Sequence, residues 1–177
     1  MNLNACFRSL LLVCAAGAFA GFIRAQADSG SGWKQDMQTE LAAWHATPVA
    51  IDLARFRGDL PLGVRVDLAL RPNAELKFLV TPKRSPKPDS FGGIPDFEVP
   101  KDGLYRVSAG APVWIDVVET ATGQNVQSPS FEMQTKSDIR KCVVFQLRTG
   151  VQYTLQISGS KTAAASVLIT PAPDRKS

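Results

Sequence analysis

The chain has a single histidine, His45, and only three cysteines among its 177 residues. Two of those cysteines, Cys6 and Cys14, fall in an apolar N-terminal stretch, which leaves Cys142 alone in the body of the chain. One imidazole and one thiol cannot build a zinc site of several Cys and His ligands, nor a two-histidine iron triad. A lone cysteine cannot close an internal disulfide either, so stability has to come from a core. The sequence contains no Gly-x-Ser-x-Gly elbow, the turn that presents a hydrolase serine. Ser158-Gly159-Ser160-Lys161 matches the Ser-x-x-Lys spacing, but it follows an alternating strand and includes a glycine, so it reads as a hairpin turn. Lys and Arg number 20 against 16 Asp and Glu. That excess is too slight to indicate a nucleic-acid partner.

What is present begins with a leader. Arg8 supplies a positive charge, Leu10 to Ile23 runs with little polarity, and Arg24-Ala25-Gln26-Ala27 offers small residues where signal peptidase reads. Residues 1–27 are therefore expected to be a signal peptide, with Ala18-Phe19-Ala20 as a competing cleavage site. The apolar run is shorter than the roughly 20 residues of a spanning helix, and no later stretch reaches that length, so no transmembrane segment is expected after processing. Cys14 follows Val13, where a lipoprotein site wants a small side chain. Arg8 and Arg24 leave with the leader while every acidic residue stays, so the net charge of +4 falls by two. The expected location is periplasmic or secreted.

Residues 28–47 read as a flexible start and one amphipathic helix. Trp33, Met37, Leu41 and Trp44 recur at helical spacing on one stripe, with Lys34, Asp36, Gln38 and Glu40 assigned to the opposite side. Thr47-Pro48 ends it, because a residue before proline disfavours helical geometry. From there the period becomes two. Val64, Val66, Leu68 and Leu70 alternate with polar neighbours, and Leu76 to Val80 is expected to follow as a further strand. Residues 82–95, with four prolines and two adjacent glycines, read as a long surface loop. Beyond it Phe97 and Val99, Tyr105 and Val107, Val113 to Val117, Val143 to Leu147, Tyr153 to Ile157, and Val167 with Ile169 supply strands at regular spacing. Turn residues separate each pair. The expected fold is mainly β: an antiparallel β-sandwich of about eight strands over residues 48–170, with the helix packed on it. Residues 171–177 are expected to be a disordered tail.

Phe97-Glu98-Val99-Pro100-Lys101-Asp102-Gly103-Leu104-Tyr105-Arg106-Val107, followed by Val113-Trp114-Ile115-Asp116-Val117, carries a resemblance. So do Lys141-Cys142-Val143-Val144-Phe145-Gln146-Leu147 with Gly150 and Tyr153-Thr154-Leu155-Gln156-Ile157. From Phe97 to Ser158 the chain resembles bacterial pre-peptidase C-terminal domains and related jelly-roll accessory modules, and small exported proteobacterial proteins of that pattern. The resemblance implies a jelly-roll-like sandwich in an extracytoplasmic setting and no catalytic residues, since such modules are generally non-catalytic. Residues before Phe97 depart from that pattern.

Three residue groups invite function. If Val113, Ile115 and Val117 face the core, Trp114 and Asp116 face outward, and an indole beside a carboxylate suits stacking on a sugar ring and holding its hydroxyls. The competing reading covers this face with the helix stripe, against Trp114, Val118 and Val144. Lys83, Arg84 and Lys87 lie on a proline-stiffened loop able to touch an anionic polymer, against which stands a merely solvated loop. Asp96 and Glu98 share one side of a strand with Asp102 in the next turn, a spacing compatible with calcium or with ordinary solvated carboxylates. No cofactor is expected, and Cys142 reads as a small apolar residue. The expectation is a non-catalytic periplasmic accessory or binding protein, its partner an envelope glycan or a protein. The alternatives are an interaction partner of an envelope complex and, more remotely, a small carbohydrate-active hydrolase.

Overall fold

A computed structural model describes residues 36–173; the expected leader, Trp33 and residues 174–177 lie outside the described residues. Within that span there is one short helix, α1 (Gln38–Trp44), and twelve strand segments. The strands are β1 (Val49–Asp52), β2 (Val66–Ala69), β3 (Arg71–Pro72), β4 (Phe91–Gly93), β5 (Asp96–Phe97) and β6 (Gly103–Ala109). They continue with β7 (Trp114–Glu119), β8 (Gln124–Asn125), β9 (Ser130–Met133), β10 (Lys141–Leu147), β11 (Tyr153–Ser160) and β12 (Ala164–Pro171). No helix among the described residues is long and apolar enough to cross a membrane.

The strands form two sheets. One runs β1-β2-β12-β6-β10-β9, the other β3-β4-β11-β7-β8, with β5 also paired to β11. Most neighbours are antiparallel, but β1 and β2 run parallel, Val49 opposite Val66 and Asp52 opposite Ala69. That corrects the expectation of a wholly antiparallel fold. Val64 and Leu70 flank β2 without extending it, and the residues between β1 and β2 supply the crossover that a parallel pair requires.

Alternation places one parity of each strand in a shared interior. Val66 and Leu68 of β2, Tyr105 and Val107 of β6, Val143 and Phe145 of β10, and Val167 and Ile169 of β12 meet residues of the other sheet there. From that sheet come Phe97, Ile115, Val117, Tyr153, Leu155 and Ile157. Burying a side chain of this size contributes roughly 1.5–3 kcal/mol. Two core rings contribute directional packing as well, Phe97 and Tyr153 lying 5.6 Å apart between centroids and tilted by 31°. Gly150 closes the β10–β11 connection at φ 70, a backbone that side chains bearing a Cβ seldom adopt.

Several expectations needed correction. Leu76 to Val80 forms no strand; it follows a single 3-10 turn at Asn73–Glu75. The expected loop over residues 82–95 contains β4, and its two glycines are strand residues chosen for closeness. A Cβ on Gly92 would come within 2.4 Å of the Ile157 carbonyl oxygen, and one on Gly93 within 2.3 Å of Leu53 Cδ1. Pro171, assigned to the tail, completes β12, and the Ala172 N–H donates to the Leu104 carbonyl at 2.8 Å; residues 174–177 lie outside the described residues.

The helix lies on the outer face of the first sheet. Met37 and Trp44 pack with Ile139, Cys142 and Leu168 in a second, smaller cluster, with Leu41 half-buried against it. Gly110 makes room for the indole, since a Cβ there would sit 3.0 Å from Trp44 Cζ2. Glu40 belongs to this face and not to the polar side assigned to it, because it lies three residues after Met37 and so one turn along the same stripe. Its carboxylate is fully buried and meets Arg106 Nη1 at 2.8 Å, while the Thr170 hydroxyl donates to it at 3.0 Å.

Candidate functional site

The second sheet has an outer face too, and β7 shows how it differs from expectation. Ile115 and Val117 enter the core, which turns Trp114, Asp116 and Val118 the other way. That face is neither open nor covered by α1: Val118 is fully buried, Asp116 is 8% exposed and Trp114 is half-buried. The cover comes from the proline-rich segment after the 3-10 turn. Gln156, directly opposite Asp116 in the β7–β11 register, holds the backbone of Val80 with both ends of its amide. Its Nε2 donates to the Val80 carbonyl at 3.0 Å and its Oε1 accepts from the Val80 N–H at 3.2 Å. The far end is tied at Ser90, whose hydroxyl donates to the Lys87 carbonyl and accepts from Asn73 Nδ2 at 2.7 Å.

This clasp brings two of the sequence-level candidates together. Lys83 is close enough to Asp116 to pull its pKa down, and Arg84 close enough to Lys141 to do the same to the amine. Lys87 is exposed, and nothing ties its side chain to Asp116. A residue that sequence reasoning passed over completes the group. Lys141 is 7% exposed; its Nζ donates to the Val113 carbonyl at 3.0 Å and stands 4.8 Å from the Trp114 ring centroid, within cation–π range. The signal was available. Lys141 shares the inward parity of Val143, Phe145 and Leu147, where a lysine is out of place unless it serves a polar partner.

Burial dominates the electrostatics. Desolvation raises the Asp116 pKa above the ordinary carboxylate value, and the Trp114 indole, Lys83 and Lys141 offset it only in part. Desolvation likewise lowers the Lys141 pKa, against the pull of Asp116. The Trp114 N–H lies near enough to act on that carboxylate, yet neither Nε1 nor Asp116 Oδ2 forms a hydrogen bond of ordinary geometry. The indole N–H and the carboxylate therefore face each other below the surface, beside the Trp114 ring and among three cations. Such a set can stack on a ring through Trp114 and counter negative charge through Lys83 and Arg84.

The other candidates are not drawn into a site. Asp96 accepts from the Thr154 hydroxyl at 2.6 Å, Asp102 accepts from the Thr149 N–H at 2.8 Å, and Glu98 points into solvent. Among the described residues no group of three or more His, Cys, Asp or Glu side chains could hold a metal ion. Asp96, Glu98 and Asp102 are thus not among any such group. His45 is exposed at the end of α1. Cys142 is buried, and burial pushes its thiol up to about 11, with Ser108 and Arg106 offsetting only part of the effect. Glu119, three residues from Asp116, pairs with Arg148 at 2.7 Å. Ser158, Gly159 and Ser160 all belong to β11 and only Lys161 enters the turn, which corrects the hairpin-turn reading of these four residues. Comparison with protein-family models, with curated proteins and with solved structures finds no match for this chain.

Proposed function

We propose that this is an exported, non-catalytic binding protein of the periplasm or cell exterior, which holds a hydroxylated, negatively charged polymer such as an envelope glycan on the Trp114–Asp116 face. The two sheets close as a jelly-roll-like sandwich in this reading, and the leader at residues 1–27 directs the chain out of the cytoplasm. One observation carries it: the cation of Lys141 over the Trp114 ring at 4.8 Å, beside a buried carboxylate oxygen with no partner and the basic loop that Gln156 holds over it. The half-buried Trp114 ring offers a stacking surface, and the exposed Lys83 and Arg84 counter negative charge on the polymer. The accessory-module resemblance over Phe97 to Ser158 supports the same assignment.

Calorimetric titration with neutral and anionic oligosaccharides tests it. Binding is expected for the anionic set, weakening as salt rises, and falling about tenfold when Lys83 and Arg84 are both replaced by alanine or Trp114 by alanine. No heat from any member of the panel would end the reading.

A second reading, an interaction partner of an envelope complex, draws on one observation. Edge strand β9 leaves Phe131 67% and Met133 55% exposed. The helix stripe is not available for that role, because Met37 and Trp44 are already buried against the sheet. A monomer by analytical ultracentrifugation that retains no envelope protein would exclude this second reading.

A further inference from the structure

A groove of about 440 Å³, lined by none of the Trp114-face residues, lies between the chain just after β1, the β3–3-10 segment and the β4–β5 connection. That volume lies in the range of small-molecule sites. Its apolar part is made by Leu53, Phe56 and Leu76, all half-buried. Gly93 shapes this part, because only a residue without a Cβ lets Leu53 Cδ1 come as close as it does. Arg57, Arg71 and Lys77 stand around the same opening.

The charges there are not evenly answered. Two carboxylates line the groove, and each is already engaged: Glu75 by Arg71 Nη2 at 3.1 Å, and Asp96 by the Thr154 hydroxyl at 2.6 Å. Arg57 reaches only the carbonyl of its neighbour Phe56, at 2.7 Å. Lys77 makes no hydrogen bond or ion pair among the described residues. Three cations, Arg57, Arg71 and Lys77, thus face two carboxylates, Glu75 and Asp96, around an apolar recess, and Arg57 and Lys77 are in no ion pair, so the opening keeps a positive excess.

We propose that this groove is a second binding site, independent of the Trp114 face, for a small organic anion with an apolar body, such as an aryl or alkyl carboxylate or sulfonate. The apolar body lies on Leu53, Phe56 and Leu76, and the anionic head meets Arg57 and Lys77 through charge-assisted hydrogen bonds. A neutral molecule of the same shape gains only the first of these.

The test is a fluorescence titration of the full chain with 1-anilinonaphthalene-8-sulfonate, with N-phenyl-1-naphthylamine as its uncharged analogue. One saturable site per chain is expected for the sulfonate, with the neutral analogue at least about tenfold weaker. Arg57→Ala combined with Lys77→Ala is expected to weaken the sulfonate about tenfold. Both side chains are exposed, so the variant keeps the fold, and an unchanged circular dichroism spectrum checks this. Lys83→Ala with Arg84→Ala is expected to leave the sulfonate affinity unchanged. Equal affinity for the two probes, or loss of binding only in the Lys83 and Arg84 variant, or no saturable binding at all, overturns the proposal.

Discussion

Arg106 Nη1 meets Glu40 Oε1 at 2.8 Å with both side chains almost wholly out of water, and this pair pins α1 to the sheet beneath it. Arg106 also donates to the Asp36 carbonyl, so one guanidinium holds the helix at two points. Removing one member of a buried pair leaves the other charged in a dry place, which costs about 3–5 kcal/mol. Glu40→Ala is therefore expected to lower the urea midpoint sharply. Glu40→Leu combined with Arg106→Met is expected to recover most of the loss, since no charge then remains to be solvated. A single variant as stable as the wild type would show that the pair contributes nothing.

Asp116 sets a pH dependence of definite sign. Its folded pKa is raised above 3.8, chiefly by desolvation, so between 3.8 and the raised value the folded state binds more protons than the unfolded one. Stability then falls as pH rises through that window. Asp116→Asn is expected to be more stable than the wild type at neutral pH, with the advantage vanishing below 3.8. Lys141 works at the other end of the scale: its folded pKa is lowered from 10.5, so stability rises with pH as that window is crossed. Urea melts of wild type and Asp116→Asn from pH 3 to pH 8 check the first effect, and parallel curves would contradict it.

The Cys142 thiol, pushed up to about 11 by burial, is expected to resist Ellman's reagent at pH 8 in a chain carrying Cys6→Ser and Cys14→Ser. Reaction proceeds through thiolate, which both the raised pKa and the cover of α1 suppress. Glu40→Ala, by loosening the helix, is expected to speed labelling severalfold below the unfolding midpoint. Prompt labelling of the unmodified fold would place the thiol in reach of solvent.

Two glycines separate strain from crowding. Gly123 has φ 66 with nothing within 4 Å of an added Cβ, so Gly123→Ala is expected to cost only about 1 kcal/mol, the backbone penalty alone. Gly92→Ala would drive a methyl to within 2.4 Å of the Ile157 carbonyl oxygen. Its expected cost is higher, about 1–3 kcal/mol or more, because backbone has to move. Chemical denaturation of the two variants side by side gives the ranking.

Much of the core was legible. Ile115 and Val117, Phe145 and Leu147, and Leu155 and Ile157 declare themselves by parity, because a pleated strand sends alternate side chains to opposite faces. The cover of the second sheet was not. Nothing local in Gln156 or Val80 announces that they meet across 76 residues, and the exposed basic loop therefore read as separate from Trp114. Gly92 and Gly93 misled for a related reason: the residue type marks both turns and close approaches, and only the neighbouring backbone distinguishes them. Glu40 was misplaced by treating its charge as decisive, when Arg106 and Thr170 were waiting under its turn of the helix. Strand β9 escaped notice because Phe131 and Met133 remain in solvent at the rim.

The sheet order has a consequence for how the chain matures. β12, the last strand among the described residues, lies between β2 and β6, and β11 lies between β4 and β7. Until residues 164–171 leave the ribosome, the strands on either side of that gap have nothing to join them, and the first sheet exists only as two unconnected halves. A chain built this way completes its first sheet only when β12 joins β2 to β6. Loss of the final strand would remove the middle of the structure and not its margin.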